Sequence, residues 1–584
     1  MTALVLSGDC APVAVIKLGS SVLRAPEDLL TATAAIYSRL ARGMRVVAVV
    51  SAIGSDTDDL IDIARRAGDD GTFPGDPHTR ARLLASGEER SALLLSLALE
   101  RAGIDGRVCS IAEAGLVTTG PPLEGEPASL DRNRLRQLLA DSPVVILPGF
   151  AGMDGDGRPT LLGRGGSDLT ALFVASELDA AECLLCKDVD GLYDHDPADA
   201  LRQPGRFQTA HWRTALAVGG PLVQPRAVEF AARRGLSFEI TNPLAQPGTR
   251  IGPLADHRHW GAQPPPLRVG VLGAGTVGGG LLAHLSRLPG LFEVTAVAVS
   301  DLNRQRAGLP DGVPVTNDGR DVLAAGCDVL LELIGGTGVA GRLVETALSS
   351  GIDVITANKA LLALRGPHLT RLAERSGARL RGSAAVGGGM PALECVRAAV
   401  QRGPVRRISG VLNGTCNFVL DRIANGAAFD TAVRDAQEAG FAEADPAMDL
   451  DGIDAASKLT LLVREAWGAD ADVRTTGIRG MHDLPGVEST PRVRRLVAGA
   501  AVRGDGSLEA RVGPELLEPS DFLAGACGVG NRLEVELQSG QVLRATGAGA
   551  GRWPTALAVL ADLTEAATAR SALAPASAQS ARVA

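Results

Sequence analysis

The sequence predicts an α/β protein: a largely parallel sheet covered by helices, then a second, doubly wound sheet, then a mixed α+β part. Three observations predict it. Short apolar, strand-like runs alternate with helical stretches from residue 13 to about residue 400, the pattern that gives parallel sheets covered on both faces. A proline run at 253–267, PLADHRHWGAQPPPL, interrupts the alternation and favours extended backbone. The chain has 584 residues, 45% hydrophobic and 21% charged, too many for one core and typical of turn-rich α/β domains.

Before the proline run, the strands are VAVIKLGSSVL at 13–23, VVAVVSA at 46–52, VVILPGFAG at 144–152 and ECLLCKDV at 182–189. After it, RVGVLGAG, VTAVAVS, DVLLELIGG and DVITANK follow at doubly wound spacing. From about 401 the pattern turns to longer helices and then short strands. Residues 571–584, rich in alanine and serine, read as a disordered tail. The expected division is 1–252, a linker at 253–267, then 268–400, 401–546, a returning segment at 547–570 and the tail. There is no internal repeat.

The formal net charge of −9 argues against an extended nucleic-acid surface. Of the cysteines, Cys183 and Cys186 form the one close pair; they sit in the apolar run CLLC without a second pair to complete a zinc site. They are expected to be reduced core residues. The amino terminus lacks a charged region followed by an apolar core, and no apolar run reaches membrane-spanning length, so a cytoplasmic protein is expected.

Three segments carry chemistry. Residues 441–458, FAEADPAMDLDGIDAASK, place five acids ahead of one lysine. A helix is expected to start at Asp451 as its cap, with Asp454 at the third helical position, and to end near Gly468. Its inward face is Ile453, Ala456, Leu459, Leu462, Val463 and Ala466. Asp454 and Lys458, four apart, share one face. An isolated pair of this kind is ordinarily a surface ion pair contributing a few tenths of a kcal/mol. Here Glu443, Asp445 and Asp449 crowd the same helix, which a merely solvated face does not require. A lysine held by a carboxylate in a partly desolvated site can exchange a proton with a reacting oxygen, and the neighbouring acids suit a substrate ammonium.

The second segment, VGVLGAGTVGGG, contains GxGxxG as Gly273, Gly275 and Gly278 between an apolar strand and a helix. Glycines there permit a tight turn and let backbone donors at Thr276 and Val277 approach a pyrophosphate, the arrangement of a Rossmann dinucleotide site. The following strand ends at Ser300 and Asp301, where an acid meets a ribose hydroxyl; Arg304 and Arg306 suit a 2′-phosphate instead. NAD and NADP both stay open. In the third segment, VAVIKLGSSVL, Lys17 and Gly19 place a point charge and a small-residue turn after a strand, a geometry suited to phosphate, although a strand-end lysine alone is commonplace.

The opening of the second half, with ELIGGT at 332–337, TANKALLA at 356–363, AAVGGGMP at 384–391 and LNGTCNF at 412–418, resembles homoserine dehydrogenase in order from about 268 to 570. The resemblance implies NAD(P)-dependent interconversion of L-aspartate 4-semialdehyde and L-homoserine. It assigns proton transfer to Lys458, oriented by Asp454, with Lys359 polarising the carbonyl or positioning the donor. It assigns the substrate pocket to Glu443, Asp449 and the Gly414-Thr415 turn. It places Gly335, Thr356 and Gly549 at the cofactor. It also implies a sodium or potassium site on Val386, Gly388 and Met390, where Ser383 replaces the family's glutamate. Phe441 replaces a tyrosine. A homodimer or higher homo-oligomer is the family expectation.

The first half, in VVSAIGSDTDDL, SGEERSALLLSLAL, LGRGGSD, KDVDGLYDHDP and LVQPRAVEFA, resembles the amino-acid kinase family, most closely aspartate kinase, over roughly 11–250. The resemblance implies a helix–sheet–helix sandwich that phosphorylates L-aspartate with ATP and magnesium. Lys17 and Gly19 would meet phosphates, Ser51, Thr57, Glu88 and Arg164 would hold aspartate, and Asp188 and Tyr193 would lie near the nucleotide. Two cations of the family are missing: an arginine is Ala198 here and a lysine is Pro221. Lys187, where aspartate kinases usually carry threonine, is placed to compensate in part. The turn KLGSS is closer to glutamate 5-kinase. About twenty residues separate the halves, too few for an ACT domain. The rival reading is a homoserine dehydrogenase fused to a non-catalytic amino-acid-binding or oligomerisation module.

Overall fold

The computed structural model describes residues 3–6, 11–66, 75–196, 204–220, 222–259, 265–306, 308–443, 445–468, 477–481 and 492–573. Ala198 and Pro221 lie outside them. The chain divides into two compact units, one built on Ala11–Leu40 and Met44–Pro264, the other on Pro265–Ala566 together with the amino-terminal strand.

In the first unit, nine strands form one sheet in the order His257–His259, Arg206–His211, Ala245–Gly252, Phe238–Asn242, Glu182–Cys186, Val13–Leu18, Arg45–Val50, Val144–Pro148 and Gly106–Val108. From Phe238–Asn242 to Gly106–Val108, every neighbour runs parallel. Val13–Leu18, Arg45–Val50 and Val144–Pro148 are buried almost throughout, which is why they read as continuous β-branched runs. Helix Gly166–Leu178 packs against this sheet and is buried along nearly its whole length. Cys183 and Cys186 are buried free thiols of the Glu182–Cys186 strand. The first strand, Val13–Leu18, lies between Arg45–Val50, the next strand in the chain, and Glu182–Cys186, which comes much later. The winding direction therefore reverses beside Lys17, where open α/β sheets place their ligands.

The second unit has two sheets. Six parallel strands run Val315–Thr316, Phe292–Ala298, Leu267–Leu272, Val329–Glu332, Asp353–Thr356 and Leu380–Arg381, the doubly wound order expected of a dinucleotide fold. The other sheet is mostly antiparallel. It orders Ala3–Leu6, Val542–Ala548, Gly530–Leu537, Val405–Val411, Val493–Val502, Leu508–Leu517 and Gly477–Ile478.

Three expectations are corrected. The strands after 401 are not short: Val493–Val502 and Leu508–Leu517 pair over ten residues each. The presumed tail begins as helix, since Arg552–Leu573 is one continuous element; residues 574–584 lie outside the described residues. The expected division placed the first residues with 1–252, but Ala3–Leu6 pair antiparallel with Val542–Ala548 and belong to the second unit. Among the described residues, no helix is long and apolar enough to cross a membrane.

Candidate active sites

The acidic segment of the second unit folds into two helices. Ala447–Leu450 is a single turn, and Ile453–Trp467 follows after Gly452. The helix is therefore not capped by Asp451, which ends the short turn, but by Gly452 at φ 78°. A Cβ on Gly452 would come to 3.2 Å of Val512 and adopt a strained backbone, so glycine is required there. Gly468 at φ 64° ends the helix where expected. The inward face is broader than the predicted stripe. Ala455, Ala456 and Leu459 through Val463 are all buried, while Ile453 is exposed, because the helix packs against neighbouring helices and the sheet together.

Asp454 is only 3% exposed and receives Lys458 of its own segment and Lys359 from another element of the same unit. Lys458 Nζ lies 2.9 Å from Asp454 Oδ2, and Lys359 Nζ pairs with Asp454 Oδ1. Burial pushes the Asp454 carboxyl up, but the Lys458 and Lys359 ammoniums outweigh it and hold Asp454 well below the usual carboxylate range. Lys458 also donates to the Leu412 carbonyl at 2.6 Å. Two of its three protons are thus engaged, which fixes the direction of the third. Lys359 opens the helix Lys359–Ser376, just beyond the strand Asp353–Thr356. Burial pulls its ammonium down, while Asp454, Asp449 and Glu443 together raise it above the ordinary lysine value.

Asn413 is the connector that sequence reasoning did not single out, although it lies in the quoted LNGTCNF. Its side-chain amide donates to Asp449 Oδ1 at 2.7 Å and to Asp454 Oδ2 at 2.8 Å. Its oxygen accepts from the Cys416 amide and caps the helix Gly414–Ala424. Gly414 and Thr415 are therefore the first helical turn, not a free turn, and the Thr415 hydroxyl donates to the Phe441 carbonyl at 2.8 Å. Phe441 stacks at 4.8 Å on Phe418. Glu443 is exposed, and Asp445 accepts from the Ala447 amide as a local cap. Arg464 donates to the Leu362 and Ala363 carbonyls, fastening the helix of Lys359 to that of Lys458. An arginine late in an amphipathic helix gave no sequence signal of that role.

The three glycines of the dinucleotide motif behave differently. Gly273, at φ 104°, has no room for a Cβ beside the Leu333 carbonyl, and a Cβ on Gly278 would strike the Gly273 carbonyl. A Cβ on Gly275 would meet nothing within 4 Å. Space stays open where the exposed Gly275 and Thr276 begin the helix Thr276–Leu285, with Val277 half-buried behind them. This cradle fits a pyrophosphate. Asp301 and Arg304 are both exposed past the end of the neighbouring strand, and Arg306 donates to the carbonyls of both.

Gly335 and Thr356 are tied to a residue not foreseen. The fully buried Glu332 accepts from the Ile334 and Gly335 amides and from the Thr356 hydroxyl at 2.6 Å. The Thr356 hydroxyl therefore holds the strand end together. Gly549 packs against Asn531, where a Cβ has no space.

Val386, Gly388 and Met390 form a buried loop, and the Met390 carbonyl accepts from the Ala392 amide. Ser383 is bonded through its amide and its hydroxyl to Asp562. Burial pushes the Asp562 carboxyl up to about 7, with Glu394 adding to the rise.

In the first unit, Lys17 is the next-to-last residue of its strand and Lys187 follows the neighbouring Glu182–Cys186 strand. Both reach Asp168 in the first turn of helix Gly166–Leu178, at 2.8 and 2.9 Å. Asp168 lies in the quoted LGRGGSD but was not singled out. A Cβ on Gly19 would approach Lys17 Nζ to 2.5 Å, so the glycine lets that ammonium fold back past the turn.

Glu88, 3% exposed, sits within helix Pro77–Arg101 and accepts from the Ala52 amide; burial pushes it up to about 7. Its second oxygen is buried without a hydrogen-bond partner among the described residues. Ser51 and Thr57 are half-buried nearby in sequence. Arg164 is exposed. Asp188 is exposed, and the Tyr193 hydroxyl donates to Asp190 at 2.7 Å. Among the described residues no cluster of three or more His, Cys, Asp or Glu is arranged to hold a metal ion.

Comparison with known proteins matches residues 391–564 to the homoserine dehydrogenase family, residues 273–382 to its NAD-binding domain, and residues 12–241 to the amino acid kinase family. The chain is 35% identical over 313 residues to a homoserine dehydrogenase of Neisseria gonorrhoeae, covering 51% of this chain and 72% of that one. It is 33% identical over 240 residues to an aspartokinase of Mycolicibacterium smegmatis, covering 40% of this chain and 56% of that one. A crystal structure of a homoserine dehydrogenase from Thiobacillus denitrificans aligns at 34% identity with a TM-score of 0.49, covering 53% of this chain and 74% of that chain.

Proposed function

This chain belongs to the homoserine dehydrogenase family, and on that premise we propose that Lys359, Asp454 and Lys458 manage the proton in interconversion of L-homoserine and L-aspartate 4-semialdehyde. A bound nicotinamide cofactor supplies or accepts the hydride. In reduction, the third proton of Lys458 passes to the oxygen of the forming alcohol, and in oxidation the neutral amine takes it back. Asp454 orients Lys458 and balances its charge. Lys359, half-exposed beyond a strand of the cofactor-binding sheet, polarises the carbonyl. Glu443 and Asp449 receive the substrate ammonium, and Asn413 holds Asp449 and Asp454 in one arrangement. Gly273, Gly275, Thr276, Val277, Gly278, Asp301 and Arg304 receive the cofactor. A monovalent cation would rest on the Val386, Gly388 and Met390 loop.

The observation that carries this reading is the fixed third proton of Lys458, whose other two are held by Asp454 and Leu412. Substituting Lys458→Ala in the full chain is expected to lower homoserine oxidation at least a thousandfold while NADPH still binds, as followed by fluorescence. A variant with a near-normal rate would remove Lys458 as the proton donor.

For the first unit we infer aspartate phosphorylation by ATP with magnesium. Lys17 and Gly19 lie at the phosphates, Ser51, Thr57, Glu88 and Arg164 lie at aspartate, and Asp188 and Tyr193 lie near the nucleotide. The exposed Arg164, the Glu88 oxygen without a partner, and the lysines at the sheet's reversal support it. The missing cations at Ala198 and Pro221 favour the second reading, a non-catalytic module. Aspartate-dependent ADP formation by the full chain, with its dehydrogenase rate as internal control, separates the two.

A further inference from the structure

Asp168, Lys17 and Lys187 are each under a tenth exposed. One carboxylate balances one ammonium, so the second ammonium is a buried cation without its own counter-charge. Such a charge is expensive to keep away from water unless an anion meets it. Burial lowers the Lys187 ammonium, and repulsion from Lys17 lowers it further. Glu88, the next acid acting on Lys17, does not supply the missing charge reliably at neutral pH, being pushed up to about 7 by its own burial.

The location is equally specific. Lys17 pairs in register with Leu185, and Leu18 with Cys186, the residue before Lys187. The two ammoniums therefore leave adjacent parallel strands at the point where the winding reverses. The sequence lacks basic residues at 198 and 221, and Lys187 adds one to the very carboxylate that holds Lys17.

We propose that Lys187 is a catalytic residue of the first unit that contacts the transferred phosphoryl group of a nucleoside triphosphate, paired with Lys17 across Asp168 as positioning residue. This rests on the kinase reading above. In the step, the bond from the terminal phosphorus to the bridging oxygen breaks, and the diphosphate leaves with the electron pair. A bond from that phosphorus to the aspartate side-chain carboxylate forms, with no proton transferred. The two ammoniums neutralise charge on the oxygens that do not exchange.

The test uses the full chain with Lys187→Met, which keeps length and removes charge, and Lys187→Arg. Four quantities are read: affinity for the magnesium complex of a non-hydrolysable β,γ-imido ATP analogue by calorimetry, aspartate-dependent ADP formation, thermal midpoint without ligand, and homoserine dehydrogenase rate. For Lys187→Met, at least tenfold weaker analogue binding and a hundredfold lower kcat are expected. The KM for aspartate should stay within threefold, the unliganded midpoint should hold or rise, and the dehydrogenase rate should not change. Lys187→Arg should recover part of the analogue affinity.

Wild-type analogue affinity and kcat in Lys187→Met would overturn the proposal and leave the kinase reading intact. A lowered unliganded midpoint with unchanged analogue affinity would also overturn it, by making Lys187 a structural partner of Asp168. Analogue binding that depends on Lys187 in a chain without aspartate turnover would sink the kinase reading and uphold the anion contact. Failure of the unsubstituted chain to bind the triphosphate analogue would overturn the proposal.

Discussion

Each unit of this protein contains a buried aspartate holding two lysine ammoniums: Asp454 with Lys359 and Lys458, and Asp168 with Lys17 and Lys187. The cores of the two clusters are alike, and their surroundings are not. Around Asp454 stand Asp449 and Glu443, which act on Lys359, and an asparagine that ties two of the acids together. Around Asp168 the further acid is Glu88, and burial disfavours its charged form. The first cluster is surplus in negative charge and the second in positive. The same triad can therefore serve an ammonium-bearing substrate in one unit and a phosphate in the other, with the outer residues setting the sign.

The strongest way to break this comparison is Asp454→Asn. Loss of the charge that orients Lys458 should lower kcat for homoserine oxidation by about 10²–10³, with aspartate-dependent ADP formation unchanged; a change in both rates would show the clusters are not independent. Glu443→Gln removes only an outer charge and should raise KM for homoserine about tenfold with kcat within threefold. An equal loss in kcat would move Glu443 from ammonium binding to the chemical step. Asn413→Ala leaves Asp449 and Asp454 without a shared donor and should cost about 1–3 kcal/mol of stability, read from chemical denaturation of the dehydrogenase unit.

The smallest expected effect is a drift with pH. Glu88 and Asp562, one in each unit, have carboxyls raised by burial from 4.5 and 3.8 to about 7. Each binds its proton more tightly when folded, so its contribution is full below about pH 4 and is lost as pH rises through 7. Asp454 behaves oppositely, contributing above its unfolded value near 3.8 and losing that contribution as acid is added. Raising pH from 5 to 8 should lower the thermal midpoint by a few degrees. Glu88→Gln and Asp562→Asn should each flatten the slope of one transition, and an unchanged slope in both would show that neither carboxyl is the source.

The sequence made the two sheets legible because buried parallel strands announce themselves as apolar runs, as in VAVIKL and VVAVV. It also exposed the pairing of Asp454 with Lys458, since helical spacing forces those side chains together. Lys359 and Asp454 meet across distant elements, and nothing in local periodicity reports such a meeting. Asn413 and Asp168 lay inside recognised motifs, but their partners are side chains from other elements. The cap at Gly452 was missed because an aspartate just ahead of a helix is the commoner signal, whereas here the left-handed turn decides. The resemblance placed Thr356 at the cofactor, while the bond of its hydroxyl to Glu332, opposite it on the adjacent strand, joins two distant elements and left no local signal.

The strand Ala3–Leu6 closes one edge of the antiparallel sheet by pairing with Val542–Ala548. On a ribosome the first of these segments emerges long before the second, so their pairing waits until the whole stretch between them has been made. A chain cut between the units would present a permanently open edge, with unpaired amides available to any other extended segment. Recombinant dehydrogenase halves beginning at residue 265 should therefore aggregate more readily than the 584-residue chain, and supplying the first ten residues in trans should reduce that tendency.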